Sequence, residues 1–298
     1  MRIDLHTHSA VSDGTDTPDV LVRNAAAAGL DVVALTDHDT FDGWDAAMAA
    51  GRQHGVVVVG GVEISTTLNR AGVHLLAYLP DPTHEPLVAE LKRIRSHRAG
   101  RLGAIIDRLN AIGLRITQED VLAVARRASS LGRPHVADAL VARGYVRDRS
   151  EAFGKWLAEG GPAYVPKYSP PTADAIALVR RAGGVPVLAH PWGRSSRRVL
   201  TPAAMADLAG IGLAGLEVDH DDHSEADRTE LRALAADLGL IVTGSSDHHG
   251  AGKIGHELGR YTTAPEEYER LMAIGGRDPA ELKPSSQAQA GETNSGAA

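Results

Sequence analysis

Ile3-Asp4-Leu5-His6-Thr7-His8-Ser9 decides how the rest of the chain is read. Aliphatic and polar residues alternate in it with the period of a strand, and it closes on a His-x-His pair. Residues i and i+2 of a strand share a face, so His6 and His8 point together. Histidine is the commonest metal ligand, and two imidazoles at one strand end invite a search for others. Outward from this stretch, apolar runs at residues 3–8, 32–36, 56–63, 73–79, 185–190, 213–219 and 240–245 read as strands. Helical periods fill residues 17–28, 42–54, 85–112, 173–182, 202–209 and 225–238. Thr17-Pro18 and Thr201-Pro202 are start signals, and Gly29 is a stop. Strands alternating with helices predict a parallel α/β architecture. In a (β/α) barrel the C-terminal strand ends gather on one face, where active sites are built.

Nearly every expected strand ends in polar residues. Asp13 follows the first, and Thr36-Asp37-His38-Asp39 closes the second. Glu63 closes the third, after a Gly60-Gly61 pair that admits close backbone approach. His190-Pro191-Trp192 and Ser246-Asp247-His248-His249 close the fifth and seventh. Strand parity groups Asp247 with His249 and turns His248 away. His38 is the expected ligand of its cluster, with Asp37 and Asp39 orienting an imidazole or holding structure. His74 begins its strand rather than ending it, and the pattern alone does not place it. His54, His84 and His256 read as surface or packing residues. Nitrogen and oxygen donors without thiolate suit Zn, Mn, Fe or Ni. Nine candidates exceed the needs of one tetrahedral ion and imply two or three.

Composition supports this reading. The 298 residues include 14 His and no Cys, which excludes disulfides, thiolate zinc fingers, iron–sulfur clusters and cysteine nucleophiles. No apolar run reaches transmembrane length and the start is not a signal peptide, so a cytoplasmic protein without a membrane partner is expected. The net charge of -7 is unevenly spread. From Lys92 to Lys167 there are 15 basic and 7 acidic residues, a net of +8, which leaves -15 for the remainder. That block includes Arg93, Arg95, Arg98, Arg101, Arg126, Arg127 and Arg133. It coincides with the break in strand rhythm. Residues 101–170 therefore read as an inserted helical cap that handles an anion, between barrel segments 1–100 and 171–277. Residues 278–298, rich in Pro, Ser, Gln, Gly and Ala, are an expected disordered tail.

The pattern resembles the polymerase and histidinol phosphatase (PHP) family of metal-dependent phosphoesterases. The matching elements are His6-Thr7-His8-Ser9, Ser12-Asp13-Gly14, Leu35-Thr36-Asp37-His38-Asp39, Gly61-Val62-Glu63-Ile64-Ser65, Val73-His74-Leu75-Leu76, Leu188-Ala189-His190-Pro191 and Ser246-Asp247-His248-His249. The resemblance implies a distorted seven-stranded (β/α) barrel holding up to three ions, usually Mn, Fe or Zn. It assigns His6, His8, Glu63 and Asp247 to the first ion. Glu63, His74 and His190 go to the second, and Asp13, His38 and His249 to the third.

Gly132-Arg133-Pro134-His135 and Ala163-Tyr164-Val165-Pro166-Lys167 are similar to elements of the small phosphoesterases that act on nucleotides. Those remove the 3′-phosphate from nucleoside 3′,5′-bisphosphates or trim short RNA from its 5′ end. The resemblance thus implies a phosphatase for small phosphorylated nucleotides. A hydroxide bridging the ions, held through Glu63 and Asp247, would attack phosphorus. Arg133, whose planar fork matches two phosphate oxygens, leads the substrate-binding candidates, followed by His135, Lys167 and His223. Short RNA is the alternative substrate, and double-stranded DNA is not expected. An amidohydrolase-type C–N hydrolase and a non-catalytic metal-bound scaffold are the competing readings.

Overall fold

The computed structural model describes residues 1–125, 132–158, 160–193 and 196–282. Arg126, Arg127 and the expected tail beyond 282 lie outside the described residues. The chain divides into two compact units, Met1–Val88 with Pro170–Ala298, and Ala89–Ser169. The first division falls within the helix Glu85–Ala111.

In the first unit, seven strands pair in sequence order. They are β1 (Ile3–Thr7), β2 (Val32–Leu35), β3 (Val57–Leu68), β4 (Ala71–Tyr78), β5 (Val185–Leu188), β6 (Gly215–Asp219) and β7 (Ile241–Gly244). The sheet curls into a nearly closed barrel: Thr7 bridges His248, and His8 N–H donates to the His248 carbonyl at 2.8 Å. The expectation of an all-parallel sheet fails at β4, which runs antiparallel to both β3 and β5. Only Asn69 and Arg70 separate β3 from β4, both at positive φ (47° and 67°), the backbone of a two-residue hairpin turn. Such a turn reverses the chain, whereas a parallel pairing needs a crossover.

The other elements cover the sheet. Val32 and Ala34 face a core inside the barrel, which Tyr268, Leu271 and Met272 of α10 (Pro265–Ile274) complete. Val33 and Leu35 face a second layer under α1 (Pro18–Ala27) and α2 (Trp44–His54). Burial on both faces explains the near-continuous apolar runs of these strands. Helix α10 was absent from the sequence reading. Leu282 packs against the barrel core. The remaining barrel helices are α7 (Thr172–Arg181), α8 (Pro202–Gly210) and α9 (Glu225–Asp237).

The second unit is helical, with no strand among its described residues. It contains most of α3 (Glu85–Ala111), α4 (Gln118–Ala125), α5 (Arg133–Ala142) and the short α6 (Arg149–Ala152), which runs into a single π turn. Its own core gathers Ile105, Leu109, Val121, Val136, Leu140 and Leu157. Among the described residues no helix is long and apolar enough to cross a membrane.

Candidate metal centre

The centre starts with an irregularity in β1. Asp4 pairs with Val33 but Thr7 with Leu35, so β1 carries one extra residue between them. Bulges re-aim side chains. Ile3 and Leu5 lie in the barrel core, while His6 turns to Glu63, Glu217 and Asp247. His8 follows at the strand end, fully buried.

Glu63 is the hub. Its Oε2 lies 3.3 Å from His6 Nε2, 3.2 Å from His8 Nε2 and 3.2 Å from His38 Nδ1. Its Oε1 lies 2.7 Å from His74 Nδ1 and 3.2 Å from His190 Nε2. His74 reaches the centre because β4 is reversed, which puts the start of that strand level with the ends of its neighbours. Asp247 Oδ1 is 3.4 Å from His8 Nε2, and Asp13 joins His249 Nε2 at 3.4 Å and His38 Nε2 at 3.5 Å. All nine residues singled out in the sequence therefore meet in one network.

The spacing suits cations. Donors bound tetrahedrally at roughly 2.0–2.1 Å sit about 3.4 Å apart, and His6 Nε2 and His8 Nε2 lie 3.0 Å from each other and 3.2–3.6 Å from oxygens of Glu63 and Asp247. The buried nitrogens His8 Nδ1, His38 Nδ1 and His74 Nδ1 form no hydrogen bond. Nitrogen and oxygen donors gathered across short gaps are the chemistry of a metal site. Four ligand-grade groups arise from the nine: His6–His8–Asp247, His8–His38–Glu63, His8–Asp13–His249 and Glu63–His74–His190. The last matches the second expected set. Asp13 and His249 group with His8, whereas His38 also turns Nδ1 to Glu63, a different partition from the third expected set.

Charge is balanced within the cluster. Burial opposes ionisation of Glu63 and Asp247, but the surrounding imidazoles, His38 first for Glu63 and His6 first for Asp247, hold both carboxyls well below the usual range. Burial likewise opposes charge on His8, yet hydrogen bonds to Asp247 and Glu63 raise it to about 10.

Supporting residues divide into those the sequence suggested and those it missed. Asp37 accepts from Ser9 N (2.8 Å), Ser9 Oγ (2.6 Å) and Ser12 Oγ (2.6 Å), and Asp39 from Ser65 N (2.7 Å). Asp37 thus holds the Ser9–Ser12 loop, and Asp39 ties its own loop to β3. Glu217, which the strand-end pattern does not single out, is fully buried in β6. It accepts from His6 Nδ1 (3.0 Å), from Ser245 Oγ and from the His190 backbone N–H (2.7 Å). That bond leaves the His6 Nε2 lone pair facing the cluster. An acid in the middle of the short strand Gly-Leu-Glu-Val-Asp was the available signal. His220 and Lys253 were also missed, and both touch Asp247 Oδ2.

His248 turns out to the His256 carbonyl, as parity implied. The parity reasoning itself does not hold there, because Asp247 has φ 51° and is not in a strand. His256, read as packing or surface, is buried and lies in a further ligand-grade group with His220 and Asp247. His223 is a correction: Trp192 N–H donates to its Nε2 (3.1 Å) and its Nδ1 faces the Val218 carbonyl (2.8 Å). With both nitrogens engaged by backbone and the residue buried, it is not open to substrate.

Within the second unit, Arg133 is half-buried, donates to the Leu157 carbonyl at 3.1 Å and lies near the rings of Tyr164 and Phe153. His135 Nδ1 accepts the Gly132 N–H at 3.1 Å, closing the start of α5, and Lys167 is exposed. A cavity of about 340 Å³ lies among Ser96, His97, Gly100, Arg101, Val165 and Pro166. Burial, then the like charge of Arg133, holds Arg101 below the usual arginine range.

A PHP domain model matches residues 4–98. A 3′,5′-nucleoside bisphosphate phosphatase of Chromobacterium violaceum is 34% identical over 264 residues, covering 89% of this chain and 93% of its own. The chain belongs to the PHP family. A 5′-3′ exoribonuclease of Haemophilus influenzae is 32% identical over 83% of this chain and 90% of its own. Among solved structures, a Bifidobacterium adolescentis protein assigned as a metal-dependent phosphoesterase superposes with a TM-score of 0.76 at 38% identity, covering 94% of this chain and 98% of its own. A Chromobacterium violaceum structure described as an amidohydrolase, with bound sulfate, has a TM-score of 0.73 at 32% identity, covering 92% and 97%. This PHP protein is a metal-dependent phosphoesterase.

Proposed function

We propose that the protein removes the 3′-phosphate from nucleoside 3′,5′-bisphosphates, using two or three divalent ions (Mn, Fe or Zn) held by His6, His8, Asp13, His38, Glu63, His74, His190, Asp247 and His249. The reading is carried by the nine-residue centre in a chain that is 34% identical to a bisphosphate phosphatase across almost its whole length. Ions there would lower the pKa of bound water and offset charge on the phosphoryl group. The chain's own residues supply the rest. Glu63 and Asp247 hold the centre together. Glu217 fixes which nitrogen His6 presents. Arg101 and Arg133 are close enough to repel, an arrangement that an anion relieves, and Arg133 offers the planar fork for a second phosphate. Lys167 is a further cation of that unit, and His135 offers its remaining ring nitrogen as a hydrogen-bonding group.

A second reading, 5′-3′ trimming of short RNA, is favoured by the Haemophilus influenzae relative. One panel separates them. The Mn-loaded protein is assayed on nucleoside bisphosphates, mononucleotides, short 5′-phosphorylated RNA and a set of amides. Phosphate release fastest from bisphosphates is the expected result. Mononucleotides released from RNA without free phosphate would establish the second reading. Turnover confined to amides would overturn both.

A further inference from the structure

Asp247 divides its two oxygens between two sets of partners. Oδ1 faces His6 Nε2 (3.6 Å) and His8 Nε2 (3.4 Å), the ligand-grade side. Oδ2 meets His220 Nε2 at 3.3 Å and Lys253 Nζ at 2.5 Å. These two partners are built differently. The Asp222 N–H donates to His220 Nδ1 at 2.9 Å, so the ring hydrogen sits on Nε2 and is donated to Asp247. His220 is fully buried and fixed in that role. Lys253 stands on the loop after β7, between Gly250, Gly252 and Gly255, two of which have positive φ (63° and 85°). Its neighbour Ile254 is 96% exposed. Oδ2 therefore keeps a donor whether or not Lys253 stays.

We propose that Lys253 binds the phosphoryl group undergoing hydrolysis, as a cation contributed by the barrel and separate from the arginines of the second unit. The proposal rests on the phosphoesterase reading of the centre. The Asp247 carboxylate draws the ammonium inward. Once the Oδ1 side carries divalent charge, the same ammonium is repelled from it. A flexible four-carbon stem on a glycine-rich loop lets the charge move the short distance to an anion held at the centre. An ammonium is a point charge suited to a phosphate oxygen, with no demand for a fixed plane.

The test measures inorganic phosphate binding by calorimetry to Mn-loaded wild type, Lys253→Met and Lys253→Arg, with metal content determined on the same samples. Lys253→Met is expected to keep its metal and to bind phosphate about 10- to 100-fold more weakly, with Lys253→Arg recovering most of the loss. Its kcat/KM should fall by the same factor for a nucleoside bisphosphate and a simple aryl phosphate, because Lys253 meets the phosphoryl group and not the nucleoside. Wild-type phosphate affinity in Lys253→Met would overturn the proposal. So would metal lost in step with phosphate, which would make Lys253 a support for Asp247. Phosphate binding is read without any substrate, so this outcome is independent of the substrate panel.

Discussion

His74 Nδ1 lies 2.7 Å from Glu63 Oε1, although the β3–β4 ladder pairs Glu63 with Leu76 and His74 with Ser65. The two are diagonal neighbours on one face of an antiparallel pair, within reach of long side chains. The hairpin at Asn69-Arg70 thus delivers an imidazole to the Glu63 oxygen that the β1 histidines do not use. Glu63→Gln removes the negative charge that five imidazoles face and replaces one of its two oxygens with an N–H donor. It should strip metal and lower phosphate release by more than about 100-fold, since even residues one step removed from a metal cost 10- to 100-fold. Metal analysis beside an activity assay checks this, and full activity in the variant would remove Glu63 from the centre.

Glu217 acts through His6 and His190. Glu217→Gln keeps the shape but can turn an amide N–H toward the His190 backbone N–H or the His6 ring. Metal affinity should fall about 10- to 100-fold, measured by competition with a chromogenic chelator. Unchanged affinity would leave Glu217 a purely structural acid.

The pH dependence follows from His8, raised from 6.5 to about 10 in the metal-free cluster. A raised folded value means that its contribution to stability is complete below 6.5 and disappears as pH rises through about 10. Metal needs the neutral ring, so binding must expel that proton. Affinity should therefore climb up to about tenfold per pH unit below pH 10 for this group alone. Proton release on adding Mn in weak buffer at pH 7 is the direct measurement, and none would contradict the charged His8.

Gly60 precedes the hub on β3, and a Cβ there would lie 2.9 Å from the Trp44 ring, whose Nε1 donates to the Gly61 carbonyl at 2.8 Å. Gly60→Ala should destabilise by about 1–3 kcal/mol through overpacking. Thermal melts read this, and a Tm at or above wild type would show that the Trp44 ring yields freely.

His223→Leu removes the acceptor of Trp192 N–H and the donor to Val218. A loss of about 1–3 kcal/mol is expected for the unsatisfied buried N–H, with KM for nucleotides unchanged in the folded fraction. A selective rise in KM would return His223 to the substrate site.

Seven strands and eight of the nine residues at or just beyond their ends were legible because both signals are local. A strand has a period of two, and an imidazole or carboxylate announces its own chemistry wherever it stands. The Gly60-Gly61 pair was legible for the same reason, since a glycine has few other uses in an apolar strand. His74 was only half legible: its place depended on a hairpin turn whose second residue is Arg70 where glycine is usual.

Sequence by itself determined the barrel's strands, the oxygen and nitrogen character of the centre and the basic helical segment. Tertiary structure decided that β4 is reversed, that Glu217 is buried beneath His6, that His223 is spent on backbone, and that His220 and Lys253 share one oxygen of Asp247. Periodicity says which face a residue takes. Which charges are then buried together depends on partners far along the chain, as His6 and Glu217 are, 211 residues apart.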